Sequence, residues 1–390
     1  MSKRIVWLDG VKGLACIGVL FHHFTLAFLP ATYYGDMHLT KMRGIDAYMA
    51  QSPFSWFMNG NYMVALFCLI SALVLGLKVM DMTDKKELGN VILKRYPRLM
   101  LPIAPIILFV YIMLQRGWFR HLDIVPVTQS PWLGSYYLNK VPFKRCMESL
   151  FVTTWFSTDS TFSNAFWMLG YLLFGSYLAI VLSTFSWKLK KGALGVVYVF
   201  CAILYVRVNT LSLAFVFGVL LAYCYKYLKN MFGHSFIGIC SLLIGIFLGG
   251  YPSGVMPGNI YRYFNCLPSE ILTYQFWHIV GVFFTVYGIC NIECLKKFLQ
   301  KKTFKTLGKL SYSIYIIHIP FLFSVSCYIF KMLMMAEMSY VERVSMVFLI
   351  SILGIIGIAY LYQHYIETLC EKILNKLMNI IVVQNEDGKW

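Results

Sequence analysis

Lys12 and His23 are the residues from which chemistry is read first. They stand eleven positions apart in an apolar run near the start of the chain. Eleven residues advance a helix by about 1100°, roughly 20° past three full turns, and by about 16 Å along its axis. Both side chains therefore lie on one face. Ionisable residues inside a membrane span are costly and are functional candidates by default. A cation at the inner mouth could hold the phosphates of coenzyme A. Its pantetheine arm would then carry a thioester to the deeper histidine. Imidazole titrates near neutrality, so it suits taking a proton from an acceptor hydroxyl. The structural account has His23 hydrogen-bonded within the bundle and Lys12 snorkelling to the interface, and the residue types alone leave the two accounts level. His22 points about 100° away from His23. Adjacent helix positions do not converge on one ion, so no metal is expected.

The elements that must position these residues follow from composition. The 390 residues are 59% hydrophobic and only 13% charged, against roughly 45–50% and about 25% in soluble domains. This is an all-α, polytopic, multi-pass integral protein of the cell membrane, with the lipid bilayer as its first partner. Windows of about 20 apolar residues predict ten spans, near 11–30, 56–77, 99–115, 165–186, 193–208, 211–226, 235–251, 271–290, 312–334 and 344–366. The net charge of +17 comes from basic clusters between the spans, and 23 of the 34 Lys and Arg fall on one side if the N-terminus is inside. The bias places both termini in the cytoplasm and excludes nucleic acid as a partner. Residues 1–374 read as one membrane domain and 375–390 as a short cytoplasmic tail. The basic start followed by an apolar run superficially suits a signal peptide, but its length and paired histidines predict a retained first helix.

Two outer loops are long. The first, 31–55, holds Asp36, His38 and Asp46. The second, 116–164, holds Trp118, Trp132, Trp155, Tyr136, Tyr137, Asp123 and Asp159. Aromatic faces and carboxylates suit a sugar acceptor, although interfacial anchoring accounts for any single aromatic. Most of the eleven cysteines sit in apolar runs, a packing usage. Cys146 and Cys266 are the pair that could face outward together.

In chain order, further segments carry a resemblance. Leu8, Asp9, Lys12, Gly13 and His23 follow a Leu-Asp-x-x-Arg/Lys-Gly pattern with histidine eleven residues after the basic position. Val64 to Ser71, Arg95 and Arg98, Asn164 to Trp167, Ser311 to His318, and Glu367 follow. Together they resemble the acyltransferase type 3 family of integral-membrane acyltransferases over nearly the whole chain. The resemblance implies His23 as catalytic histidine. It implies Lys12, Arg95 and Arg98 as acyl-CoA-binding residues, the two arginines being three apart on one helical face. It implies Asp9, Ser71, Trp167, Ser311, Tyr315 and His318 as supporting or channel-lining. Ser311, Tyr315 and His318 fall within about 60° on their helix. The chain departs from the pattern at Leu172, where relatives often carry Glu, at Ala72 in place of Gly, and at Thr368 and Leu369, where a basic residue and Pro usually close the motif.

The activity this implies is transfer of an acyl group, acetyl foremost, from cytoplasmic acetyl-CoA or another acyl-CoA. The acceptor would be a hydroxyl of an extracytoplasmic glycan or lipid-linked saccharide. Acyl-CoA is a co-substrate, and no bound cofactor is expected. The alternative is a transporter or flippase for an anionic or lipid-linked sugar. The absence of repeated halves speaks against it. A cytoplasmic pocket running from Lys12, Arg95 and Arg98 to His23 would separate the two.

Overall fold

A computed structural model describes residues 5–381 apart from 83, 187, 188 and 266. The described residues are helical with no strand. We label the helices α1 (Val6–Phe28), α2 (Gly60–Met80), α3 (Arg95–Arg116), α4 (Trp167–Ser186), α5 (Lys191–Val208), α6 (Leu213–Tyr227), α7 (Ser235–Gly249), α8 (Glu270–Asn291), α9 (Glu293–Leu299), α10 (Lys302–Phe321) and α11 (Tyr340–Tyr362). A π-turn at Leu322–Ser326 carries α10 on to Leu333, and another at Gln363–Glu367 joins α11 to a terminal helix ending at Ile381.

Seven helical stretches are long and apolar enough to cross a membrane, or eight if α8 and α9, bent by 98°, are one broken span. The sequence windows had given ten. The two remaining segments form the shorter apolar helices Gly192–Val206 and Ser235–Gly249, below the roughly 20 residues of a straight crossing. In α7 the stop is local: Gly249, Gly250 and Pro252 end the helix after 15 residues. The predicted Cys146–Cys266 pair includes a residue outside those described, as do Lys3, Arg4, Lys188, Lys389 and the tail beyond 381.

The bundle is organised around α1. It packs along α10 and α2, and α2 in turn meets α4, α6 and α8. The apolar window of α1 is 78% buried and that of α10 83%, against 28% for the α11 stretch. Glycines make the α1 crossing possible. A Cβ on Gly308 would lie 2.0 Å from the Asp9 carbonyl oxygen, one on Gly13 2.8 Å from the Gly308 nitrogen, and one on Gly10 2.3 Å from the Leu299 oxygen. Small residues let backbones approach this closely in membranes. The obstructing atoms are backbone and cannot swing aside. Gly308→Ala is therefore expected to destabilise the fold by about 1–3 kcal/mol, read as an earlier thermal transition of the detergent-solubilised protein. An unchanged melt would show that the crossing yields freely.

Pro102 and Pro105 interrupt α3 and free carbonyls that lipid cannot satisfy. Hydroxyls from neighbours bond the loosened stretch: Tyr312 donates to the Leu99 carbonyl at 2.6 Å and Tyr362 to the Pro102 carbonyl at 2.5 Å. These bonds fix the basic start of α3 against α10 and α11.

Candidate active site

Where α1 ends and α2 and α4 begin, a cavity of about 200 Å³ opens. Its walls include Val19, His22, His23, Leu26, Tyr33, Tyr34, Gly60, Asn61, Val64, Trp132, Asn164, Ala165, Trp167 and Tyr315. No carboxylate is among them. Of the sequence-predicted residues, His23, Trp167 and Tyr315 line it, and His318 stands directly behind His23.

The imidazoles are held in series. His318 Nδ1 lies 2.7 Å from the Tyr315 carbonyl oxygen, and its Nε2 lies 3.1 Å from His23 Nδ1. His23 Nδ1 is also 3.0 Å from the Val19 carbonyl. A carbonyl only accepts, so in neutral rings both Nδ1 atoms carry the protons. His318 donates to Tyr315, and His23 donates to Val19 and to the lone pair of His318 Nε2. His23 Nε2 is left as an acceptor. It makes no hydrogen bond to the described residues, yet it is not among the nitrogens sealed away from any void. The ring therefore offers a base to the cavity. Of the stripe predicted on α10, His318 meets α1 at His23; the Cys16 thiol of α1 donates to the Ser311 backbone carbonyl at 3.2 Å, and the Tyr315 hydroxyl donates to the Ala165 carbonyl just before α4.

The segment 116–164 closes over this end. The Ser130 hydroxyl donates to the Leu26 carbonyl at 2.6 Å, at the last turn of α1. The Arg120 N–H donates to the Phe323 carbonyl at 3.1 Å, and Lys331 pairs with Asp123 at 2.8 Å. Trp132 then lies against His23 with ring centroids 5.4 Å apart, braced by Phe323 at 4.8 Å. Only part of the aromatic expectation is met. Trp132 is in the cavity wall and Tyr136 beside it at 6.2 Å. Trp155 is fully buried and donates to the Leu150 carbonyl, while Trp118 is half exposed. The loop carboxylates bind the protein itself. Asp46 accepts from Thr40 and from the backbone N–H of Lys41, and Asp159 accepts from Thr153, Thr161 and Arg145.

His121 in the same segment is buried among Phe119, Tyr137 and Phe323. Its ring nitrogens have no partner in bonding geometry, although the Tyr136 backbone is close. Burial outweighs that backbone and the Asp123 carboxylate and pushes its pKa down to about 4 from 6.5. Between those values the unfolded segment binds the proton more readily, so stability rises with pH across this window and is lost as pH falls from 6.5 towards 4. Amide exchange of residues 117–140 is expected to quicken over that range, and His121→Phe should flatten the dependence. An identical profile in the variant would assign the effect elsewhere.

The predicted cations occupy the opposite end. Lys78, Arg95 and Arg98 are close enough to repel one another. Arg98 also faces Glu367, which accepts from Ser313 at 2.5 Å. Arg95 Nε is buried without a partner. Lys12, Arg95 and Arg98 are not among the residues lining this cavity. Asp9 lies at the glycine crossing on the α1 start, and Ser71 on α2 lies outside the cavity walls. Leu172, where relatives often carry Glu, is buried in apolar packing.

Sequence reasoning missed His22, which lines the same cavity. The helical wheel set it about 100° off the His23 face, but α1 is enclosed on nearly every side, so two faces can border one void. Tyr33, Tyr34 and Asn61 were missed as well, because nothing in their local pattern marks them.

Comparison with known proteins adds an independent finding. The chain matches the model of an acyltransferase domain over residues 5–365. No curated protein and no solved structure matches it. With the match covering most of its length, this helical membrane protein belongs to the acyltransferase type 3 family.

Proposed function

We propose that the protein is an O-acyltransferase moving an acyl group, acetyl foremost, from acyl-CoA at the basic end to a saccharide hydroxyl at the loop-covered end. The family supports acyl transfer. The observation that carries the site is His23 Nε2, turned as a free acceptor into a cavity by a proton chain anchored on the Tyr315 carbonyl.

The chemistry follows from that tautomer. The acceptor hydroxyl gives its proton to His23 Nε2 while its oxygen attacks the thioester carbonyl. The C–S bond breaks, and the proton passes to the coenzyme A sulfur. The new imidazolium is supported by His318 Nε2, which receives a stronger hydrogen bond from His23 Nδ1 as the ring gains charge. Asn61 and Asn164 bring amide N–H groups to the same wall, donors for the carbonyl oxygen as it gains charge. Lys78, Arg95 and Arg98 form the cationic surface for coenzyme A phosphates. The cavity stops short of them, so the donor arm must part the packing between α1 and its neighbours to reach His23.

Aromatic rings at the mouth suit a glycan or lipid-linked saccharide in the cell membrane. The test is glycan ester content, by mass spectrometry, in cells lacking the protein and in cells complemented with it. Loss and recovery of an ester are expected. Glycans unchanged by deletion would refute this acceptor class.

A further inference from the structure

We propose that His22 is a second acceptor-binding residue, and that the site holds its saccharide by two hydroxyls, one at each imidazole. This rests on the transferase reading above and adds the acceptor's local chemistry.

His22 is buried and forms part of the cavity wall. Its Nδ1 lies 2.9 Å from the Met58 carbonyl oxygen, which can only accept, so Nδ1 carries the proton. As with His23, Nε2 is left with a lone pair. It has no hydrogen-bond partner among the described residues and is not sealed from void space. One cavity therefore presents two imidazole acceptors, on rings 5.1 Å apart. Their backing differs. His23 rests on a second imidazole that can share an arriving proton, whereas His22 rests on a backbone carbonyl that cannot. The first arrangement serves proton transfer and the second serves hydrogen-bond acceptance.

Both rings border the same void, so one sugar can meet both acceptors with hydroxyl bonds of about 2.8 Å. One hydroxyl meets His23 and is acylated, and a second donates to His22 and stays free. Each imidazole also has an aromatic ring against it, Tyr33 at 5.4 Å from His22 and Trp132 at 5.4 Å from His23. They form flanking faces for a sugar ring. The chain makes room for this His22 orientation. A Cβ at Gly60 would fall 2.3–2.8 Å from the His22 ring atoms Cδ2, Cγ and Nε2.

Two substitutions separate the nitrogens of His22. Asparagine can replace the Nδ1 donor to Met58 but has no acceptor at the Nε2 position. Glutamine places its Oε1 near Nε2. In cells lacking the protein, complementation with wild type, His22→Asn, His22→Gln and His23→Ala, at equal membrane levels, is read as glycan ester content. NMR then locates the ester. Wild type should restore the ester. His22→Gln should keep most of it, His22→Asn should lose about tenfold because the second hydroxyl is unpaired, and His23→Ala should restore none. Equal recovery by both His22 variants, or equal loss in both, overturns the Nε2 assignment. Those results leave the transferase reading standing. Glycans unchanged by deletion remove that reading and this one together.

Discussion

Replacing His23 by alanine is expected to lower acyl transfer by about 10³-fold, with the protein still folded. General bases contribute roughly 10² to 10⁴ in rate, and none of the other side chains lining the cavity combines an open imidazole nitrogen with a second imidazole behind it. His318→Leu should fall between wild type and His23→Ala, by about 10–100-fold in kcat, with little change in KM. It leaves His23 Nε2 and the Val19 carbonyl in place but removes the imidazole that supports the charged His23 ring, and loss of such a partner behind a functional histidine costs about that much. His318→Gln, with an acceptor oxygen near the lost Nε2, should recover part of the rate. Steady-state kinetics of purified variants with acetyl-CoA would read all three. If His23→Ala keeps more than a tenth of wild-type kcat, the base lies elsewhere, and His22 is the first residue to examine.

What the sequence made legible was periodicity. A 3.6-residue repeat is enough to put Lys12 and His23 on one stripe of α1, and Ser311, Tyr315 and His318 on one stripe of α10. It does not say that the two stripes meet. That pairing depends on backbone approach at Gly10, Gly13 and Gly308, where the missing side chains matter only once the partner helix is known. His22 was hidden for a related reason. A helical wheel assigns one functional face, but a helix buried on most sides has several. Trp132 reaches His23 through the Ser130 bond to Leu26, over a hundred residues away in sequence, and no local pattern encodes that fold-back. Of the ten apolar windows, two fall on helices shorter than a straight crossing, because apolar windows do not register how soon the backbone stops. Gly249, Gly250 and Pro252 end α7 early although its neighbours are as apolar as a full span.

With Arg95 as the proposed acyl-CoA ligand, substituting it should move stability and acyl-CoA binding in opposite directions. The side chain is half-buried beside two further cations, and its Nε is buried without a partner. A donor left unsatisfied in this way costs about 1–3 kcal/mol, and like charges add to the cost. Among the described residues none bonds this Nε, whereas a phosphate would accept from the guanidinium in forked geometry. Arg95→Met should therefore raise the thermal stability of the ligand-free protein by about 1 kcal/mol while raising KM for acyl-CoA by about 10–100-fold. That range corresponds to losing roughly 1.4–2.8 kcal/mol of binding. With the chemistry at the far end of α1, kcat should change little. Arg95→Lys keeps the charge but not the fork, so its KM should fall between the two. Added acyl-CoA should stabilise wild type more than Arg95→Met, because only a bound ligand shifts the folding equilibrium. A destabilised Arg95→Met with unchanged KM would make Arg95 a packing residue and move the donor site away from the start of α3.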